Sequence, residues 1–187
     1  MSLALAETAA ALHCDERTLR RYADIGLLRS ERGPRRELRL PHSEEIYLRQ
    51  HWEVLHGLRE AIRTEHSVRL AVLFGSTATG EDLPQSDVDL LVEHATGDLG
   101  QIVELQRRLR RRTGRAIHLV SLDDAARSPL LLADVLREGR VIVDRDGSWQ
   151  RLEESRRRVQ REAATEEAAT RAAAQRAVAD ARRRLRA

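Results

Sequence analysis

The sequence predicts an α/β protein in three segments: a helical N-terminal unit over residues 1–64, a small mixed-sheet domain over 65–147 and one long helix over 148–187. Three observations lead there. The apolar period changes near residue 65, from helical spacing to short continuous runs, VRLAVLF, DVDLLV and IHLVS, of the kind that form buried strands. Those runs alternate with amphipathic stretches, which is the pattern of an α/β domain. After Gly147 there is no further glycine or proline, and Ala, Arg and Glu dominate, as in a single long helix.

Taken in order, Leu3, Leu5, Ala9, Ala10 and Leu12 line a first short helix. Asp15 caps a second, Glu16 to Ala23, with Leu19 and Tyr22 inward and Gly26 as its stop. Five of the thirteen residues in RSERGPRRELRLP are Arg, and Gly33-Pro34 marks a turn within it. Ser43 is expected to cap a helix reaching about Thr64, with Ile46, Leu48, Trp52, Leu55, Leu58 and Ile62 on its apolar face. Strands are expected at Val68–Phe74, Asp87–Val92, Ile117–Ser121 and Val141–Val143. Helices are expected at Leu99–Thr113, closed by Gly114, and at Pro129–Arg137, closed by Gly139.

Composition removes several classes. All 33 basic residues are Arg, so Schiff-base, P-loop and kinase-type lysines are excluded together. One cysteine, Cys14, excludes an internal disulfide and a multi-cysteine zinc site. No stretch approaches the roughly 20 apolar residues of a membrane span. The start MSLALAETAA has no basic n-region or long apolar h-region, so the expected compartment is the cytoplasm. Charge is uneven along the chain: 11 Arg and 14 acids lie in 65–147, against 11 Arg and 6 acids in 148–187. Arg107 to Arg112 and the basic tail are ordinary solvated faces or surfaces for RNA or an acidic protein. His51 and His56 flank Trp52 at a five-residue spacing that suits a core or surface role better than a shared metal.

The chemistry-bearing stretch is LFGSTATGEDLPQSDVDLLVE, residues 73–93. A strand exits at Gly75-Ser76, ten residues follow, and Asp87-Val88-Asp89 opens the next strand. Glycine there allows backbone to approach a phosphate closely, and Ser76 offers a hydroxyl and N–H groups to anionic oxygens. Aspartates at i and i+2 present both carboxylates on one strand face, a hard-oxygen pair suited to Mg²⁺ shared with substrate phosphates. The bland alternative is an ordinary turn beside a solvated strand start.

This pattern resembles the minimal nucleotidyltransferase family of the DNA polymerase β superfamily, over about residues 65–147. The resemblance implies that Gly75 and Ser76 hold the triphosphate of ATP or another nucleoside triphosphate, and that Asp87 and Asp89 hold Mg²⁺. Where the family has a third carboxylate, this chain has His118, read as a general base, a vestige of lost activity or a satisfied strand histidine. Glu93 shares the face of Asp87 and Asp89 and is a substitute candidate, while Asp123 and Asp124 lie beyond the strand. Where the family often has Ala-Arg-Gly, this chain has Ala78-Thr79-Gly80, one phosphate contact fewer.

Residues 6–40 resemble a MerR-like helix-turn-helix with a wing, through Thr8 to Leu12, Arg17 to Tyr22, Gly26-Leu27-Leu28 and the Arg-rich hairpin. The resemblance implies Arg17, Thr18, Arg20 and Arg21 facing DNA, Arg35, Arg36 and Arg39 on phosphates, and a dimer. Three functions follow from the two resemblances together. One is a toxin–antitoxin antitoxin that transfers AMP to a hydroxyl of a cognate toxin and binds its own operator, as a homodimer or a hetero-oligomer with the toxin. Another is a nucleotidyltransferase acting on RNA or a small molecule. The last is a catalytically inactive DNA-binding regulator.

Overall fold

The run VRLAVLF is apolar on both sides because both of its faces are covered. In the computed structural model, which describes residues 5–34 and 37–184, it is one of the two inner strands of a four-stranded mixed sheet.

The chain begins with α1 (Leu5–Ala11) and α2 (Glu16–Asp24). Asp15 caps α2 as expected, its Oδ1 accepting from the Thr18 N–H at 2.6 Å. Gly26 follows with φ +84°, and Leu27 and Leu28 turn inward. The Arg-rich segment forms a two-stranded hairpin, β1 (Glu31–Arg32) antiparallel to β2 (Leu38–Arg39). Arg35 and Arg36 lie outside the described residues.

Helix α3 (His42–Arg63) departs from expectation at its start. Pro41 occupies the cap position with no side-chain bond, so Ser43 is not the cap. Ile46 is 48% exposed, while Glu44 and Glu45 are buried. The reason is tertiary: the helix turns Glu44 toward a buried arginine, Arg140, and Ile46 is carried to solvent.

Then come β3 (Val68–Phe74), α4 (Gly75–Thr79), β4 (Val88–His94), α5 (Leu99–Thr113), β5 (Ile117–Ser121), α6 (Leu122–Ala125), α7 (Pro129–Glu138), β6 (Arg140–Asp144) and α8 (Ser148–Arg184). The sheet order is β5-β4-β3-β6, with β4 parallel to β5 and the other pairs antiparallel. One sheet face, with Ala71, Leu73, Leu90 and Val92, packs on the N-terminal helices and on Leu105 and Leu109 of α5. The other, with Leu70, Val72, Phe74, Leu91 and Val141, is covered by Ala125 of α6 and Val135 of α7. The first part of α8 packs on α7 through Val159. From Ala164 to Val178 its residues are exposed, consistent with an Ala- and Arg-rich surface.

A buried ion pair joins the N-terminal helices to the sheet. Arg140 donates to both carboxylate oxygens of Glu44 at 2.6 and 2.9 Å, to the Leu27 carbonyl at 3.2 Å and to the Ala78 carbonyl at 2.8 Å. Its guanidinium lies 3.7 Å from the centre of the Tyr47 ring. Tyr22 of α2 is tied to α3 as well, its hydroxyl 2.9 Å from His56 Nδ1. Cys14 is a free, partly buried thiol whose pKa is pushed up by burial and then by Asp15.

Candidate active site

Strand β3 ends where Phe74 pairs with Asp89 of β4, and this register brings the turn and the carboxylate together. Gly75 has φ +71°, the left-handed region that disfavours a side chain. A Cβ placed on Gly75 would come 2.7 Å from Asp89 Oδ2. Backbone and carboxylate thus meet at a distance only glycine permits. Gly75→Ala is expected to displace Asp89 and to lower metal affinity about tenfold or more, measured by titration.

Asp89 continues toward β5. It lies in register with His118, and its Oδ1 is 3.0 Å from His118 Nδ1. His118 is 62% exposed at the side chain, so its ring faces the open side of the sheet edge. Asp87 sits one residue ahead of β4 and is exposed, so the strand begins at Val88 rather than at Asp87. Glu93 is not a third carboxylate for this site. It stands four residues along β4 from Asp89, and Ser148 Oγ donates to its Oε2 at 2.5 Å. Asp124 is also held elsewhere, accepting from Ser121 and from Arg127.

Helix α4 is a single turn, closed by Gly80 at φ +85°. Its Ser76 is partly exposed, at the mouth beside Gly75. Thr79 does not replace the family's arginine, because its hydroxyl is used within the turn, donating to the Ser76 carbonyl at 3.1 Å.

Behind this turn lies a set of residues that the sequence reading did not connect. Thr77 is fully buried; its hydroxyl donates to the Asp87 carbonyl at 3.4 Å, and its own carbonyl accepts from Tyr47 at 2.9 Å. Arg115, two residues before β5, donates to the Ser86 carbonyl at 2.7 Å, to Thr77 Oγ1 at 3.2 Å and to Asp82 Oδ2 at 2.7 Å. His51 Nε2 lies 2.7 Å from the other Asp82 oxygen, and its ring stacks on Tyr47 at 4.4 Å. These contacts hold the loop that delivers Asp87. They span 29 to 38 residues of sequence, so no local spacing reports them. The visible hints were an arginine directly ahead of a strand and an aspartate inside the motif's spacer. Arg115→Ala is expected to lower the turnover of a reaction that uses Asp87 by about 100-fold, because a displacement near 1 Å costs that much. A nucleotide KM that rises with kcat unchanged would speak against a positioning role.

Two ionisations follow from burial. Burial raises the Tyr47 phenol well above its ordinary range, so it stays a hydrogen-bond donor to Thr77. Burial by itself would also raise the Asp82 carboxyl, but hydrogen bonds from His51 and Arg115 outweigh it and hold the carboxyl below its ordinary range. A depressed folded-state pKa contributes stability above the unfolded value and loses it as pH falls through the folded one. The stability gap between wild type and Asp82→Asn is therefore expected to be full at neutral pH and to shrink in acid below the ordinary aspartate range. Urea melts across pH check this, and a gap independent of pH would contradict it.

Two solvent-facing carboxylates beside a close-approach glycine turn fit a hard divalent ion that shares ligands with phosphate oxygens. Among the described residues, no three His, Cys, Asp or Glu side chains form a closed metal cage. A bound ion would complete its shell from nucleotide and water.

The DNA-facing candidates are arranged on one unit. Arg17, Arg20 and Arg21 are exposed on α2, Thr18 is partly exposed, and Arg39 is exposed on β2. Arg20 pairs with Glu16 at 2.6 Å and Arg39 with Glu37 at 2.6 Å.

No helix among the described residues is long and apolar enough to cross a membrane. Comparison with known proteins gives a family for the middle of the chain. Residues 57–148 match the family model described as polymerase beta, nucleotidyltransferase. No curated protein matches the chain significantly. Among solved structures, a toxin–antitoxin complex with AMP-PNP shares the fold at TM-score 0.51 and 23% identity, over 66% of this chain and 98% of that one. A variant of the toxin–antitoxin pair MntA–HepT does so at TM-score 0.51 and 21% identity, again over 66% and 98%. At these identities the likeness is one of fold. With the motif, the sheet register and the family match in agreement, residues 57–148 resemble a nucleotidyltransferase domain of the polymerase beta type.

Proposed function

We propose that the chain is the antitoxin of a toxin–antitoxin pair and transfers a nucleoside monophosphate, most simply AMP from ATP, to a hydroxyl of its cognate toxin. The observation that carries this reading is the meeting of Asp89 with the Gly75 turn, inside a segment of nucleotidyltransferase type. The fold shared with toxin–antitoxin structures, one of them holding AMP-PNP, supports the partner and the nucleotide. In this reading Gly75 and Ser76 bind the triphosphate, and Asp87 and Asp89 hold the divalent ion. Asp87 and Asp89 would hold such an ion, which when bound would supply positive charge to offset the negative charge developing on the phosphates. The acceptor oxygen bonds to the α-phosphorus, the bond from that phosphorus to the bridging oxygen breaks, pyrophosphate departs and the hydroxyl proton passes to solvent.

The test is incubation of the full chain with divalent metal, α-labelled nucleotides and cell lysate or total RNA. Label on one protein band, lost in the Asp87→Asn/Asp89→Asn double variant, is expected. Label confined to RNA would move the assignment to an RNA-modifying enzyme. No label above the variant would overturn enzymatic function.

Binding of operator DNA belongs to the same proposal, with the cytoplasm as its compartment. It is supported by the order α1, α2, hairpin, α3, with Arg17 and Arg21 exposed on α2, Arg21 lying 5.6 Å from the centre of the Tyr22 ring. Two such units in a homodimer, or in a hetero-oligomer with the toxin, would read two half-sites. Arg17→Ala and Arg21→Ala are each expected to weaken binding to promoter DNA and to lower its salt slope by about one where they contact phosphate. Fluorescence anisotropy over a salt series reads this, and unchanged affinity in the double variant would exclude α2 from the interface.

A further inference from the structure

We propose that the free edge of β5 is where the acceptor protein docks. An extended segment of that protein adds to the sheet as a fifth strand, its hydroxyl residue opposite His118 and acidic residues beside it over Arg107 and Arg110. This rests on reading the domain as a nucleotidyltransferase that modifies a partner protein.

The two outer strands of the sheet are unlike. At β6 the Val141 N–H donates to the Gly26 carbonyl at 3.1 Å, so the N-terminal unit covers that edge. At β5 the Ala116 carbonyl accepts from Val88 of β4 at 2.9 Å, and the alternation of a strand then turns the backbone groups of Ile117 and Leu119 outward. Gln106 Nε2 of α5 donates to the Ile117 carbonyl at 2.6 Å. The Leu119 N–H and C=O have no partner among the described residues. Natural sheets blunt an open edge with charge, proline or a bulge. Residues 117–121, IHLVS, carry no Pro, Arg, Asp or Glu, and their pairing with β4 runs unbroken from Val88–Ile117 to Val92–Ser121. Such an edge is a template for an added strand.

The two faces of this edge set the sequence of the guest. Residues in register share a face, so a guest residue opposite His118 stands on the side of Asp89 and the Gly75 turn. Its hydroxyl is thereby delivered to the open side of the site. Guest residues one place to either side turn to the face of α5, which packs there through Leu105 and Leu109. On that face Gln106, Arg107, Arg110, Ala116 and Ile117 line a recess of about 240 Å³. Arg108 and Arg111 are paired with Glu65 and Glu104, whereas neither Arg107 nor Arg110 has an ion-pair partner among the described residues. Two unpaired guanidinium groups fit carboxylates. Val103 and Leu99 precede Gln106 on the same helical stripe and are 44% and 78% exposed, an apolar strip for the rest of the guest's underside. A nucleic acid would pair with the arginines but has no strand backbone to match Leu119, so the edge favours protein as the acceptor.

The test uses the full chain with divalent metal, α-labelled ATP and two synthetic peptides, Val-Gln-Asp-Tyr-Asp-Gln-Val and the same peptide with Lys for Asp. The sequence is symmetric, so it serves either strand direction. Amide hydrogen exchange at Leu119 and transfer of AMP to the tyrosine are measured on the same mixtures. The acidic peptide at saturation is expected to slow Leu119 exchange about tenfold or more, and to be labelled about tenfold faster than the lysine peptide. The exposed change Arg107→Glu/Arg110→Glu is expected to reverse that preference while leaving exchange in the peptide-free core unaltered. Protection without label would uphold the docking edge and count against nucleotidyl transfer. Equal label on both peptides with Leu119 unprotected would overturn the inference and leave nucleotidyl transfer in place. Neither protection nor label would also overturn it, and the lysate assay then judges nucleotidyl transfer separately. Leu119 already protected in the free chain and released on dilution would give the edge to a second copy and overturn the inference. So would a single-stranded RNA that protects Leu119 where the acidic peptide does not.

Discussion

Asp89→Asn is expected to reduce nucleotidyl transfer about 1,000-fold while moving the melting temperature by no more than about 3 °C. The two halves of that result have separate causes. Asn keeps the shape of Asp89 and can still meet His118, so the fold loses at most one partly exposed hydrogen bond, of order 1 kcal/mol. The change removes the negative charge that faces the Gly75 turn, and with it the electrostatic hold on an ion and its phosphates. Label incorporation and calorimetry on the same preparation separate these effects. If activity survives within tenfold, Asp89 is not part of the machinery. If the protein unfolds, Asp89 is a structural residue and the carboxylate pair has been misread.

The second large effect concerns stability. Arg140→Met is expected to destabilise the protein by about 3–5 kcal/mol, lowering its melting temperature by roughly 10 °C. Arg140 and Glu44 are both almost fully buried, and the arginine also satisfies the Leu27 and Ala78 carbonyls. Removing it leaves the Glu44 carboxylate in the interior with, among the described residues, one remaining donor, the Arg29 N–H at 3.1 Å. Removing both charges is milder, since a buried pair roughly breaks even against apolar residues of similar volume. The double variant Glu44→Leu/Arg140→Met is therefore expected to recover much of the loss. A single variant less than about 1 kcal/mol below wild type would show that water reaches the pair. Because Arg140 touches the last turn of α4 and the end of the α2 segment at once, the same measurement reports how firmly the N-terminal helices hold the phosphate turn.

The Asp82 and Arg115 changes act through a different cause. They leave the fold's main ion pair alone and loosen only the loop ahead of Asp87. Their effects are expected to appear in turnover and in a modest stability loss that is full at neutral pH and shrinks in acid.

What the sequence by itself determined were the features with local causes. Asp15 and Gly26 bound α2, Gly114 ends α5, and apolar runs of five to seven residues became β3, β4 and β5. The pairing of Gly75-Ser76 with Asp87 and Asp89 was legible because strand parity and a ten-residue spacer need no knowledge of the rest of the chain. The tertiary structure alone decided that Glu44 rather than Ile46 faces inward, since its partner Arg140 is 96 residues away. It alone bound Glu93 to Ser148 and so left His118 beside Asp89. It alone gathered His51, Asp82 and Arg115 behind the site. The physical reason is the same in each case. Caps and periodicity are decided within one or two turns of chain, whereas a buried charge is tolerated only where a distant opposite charge arrives, and that arrival is a property of the packed fold.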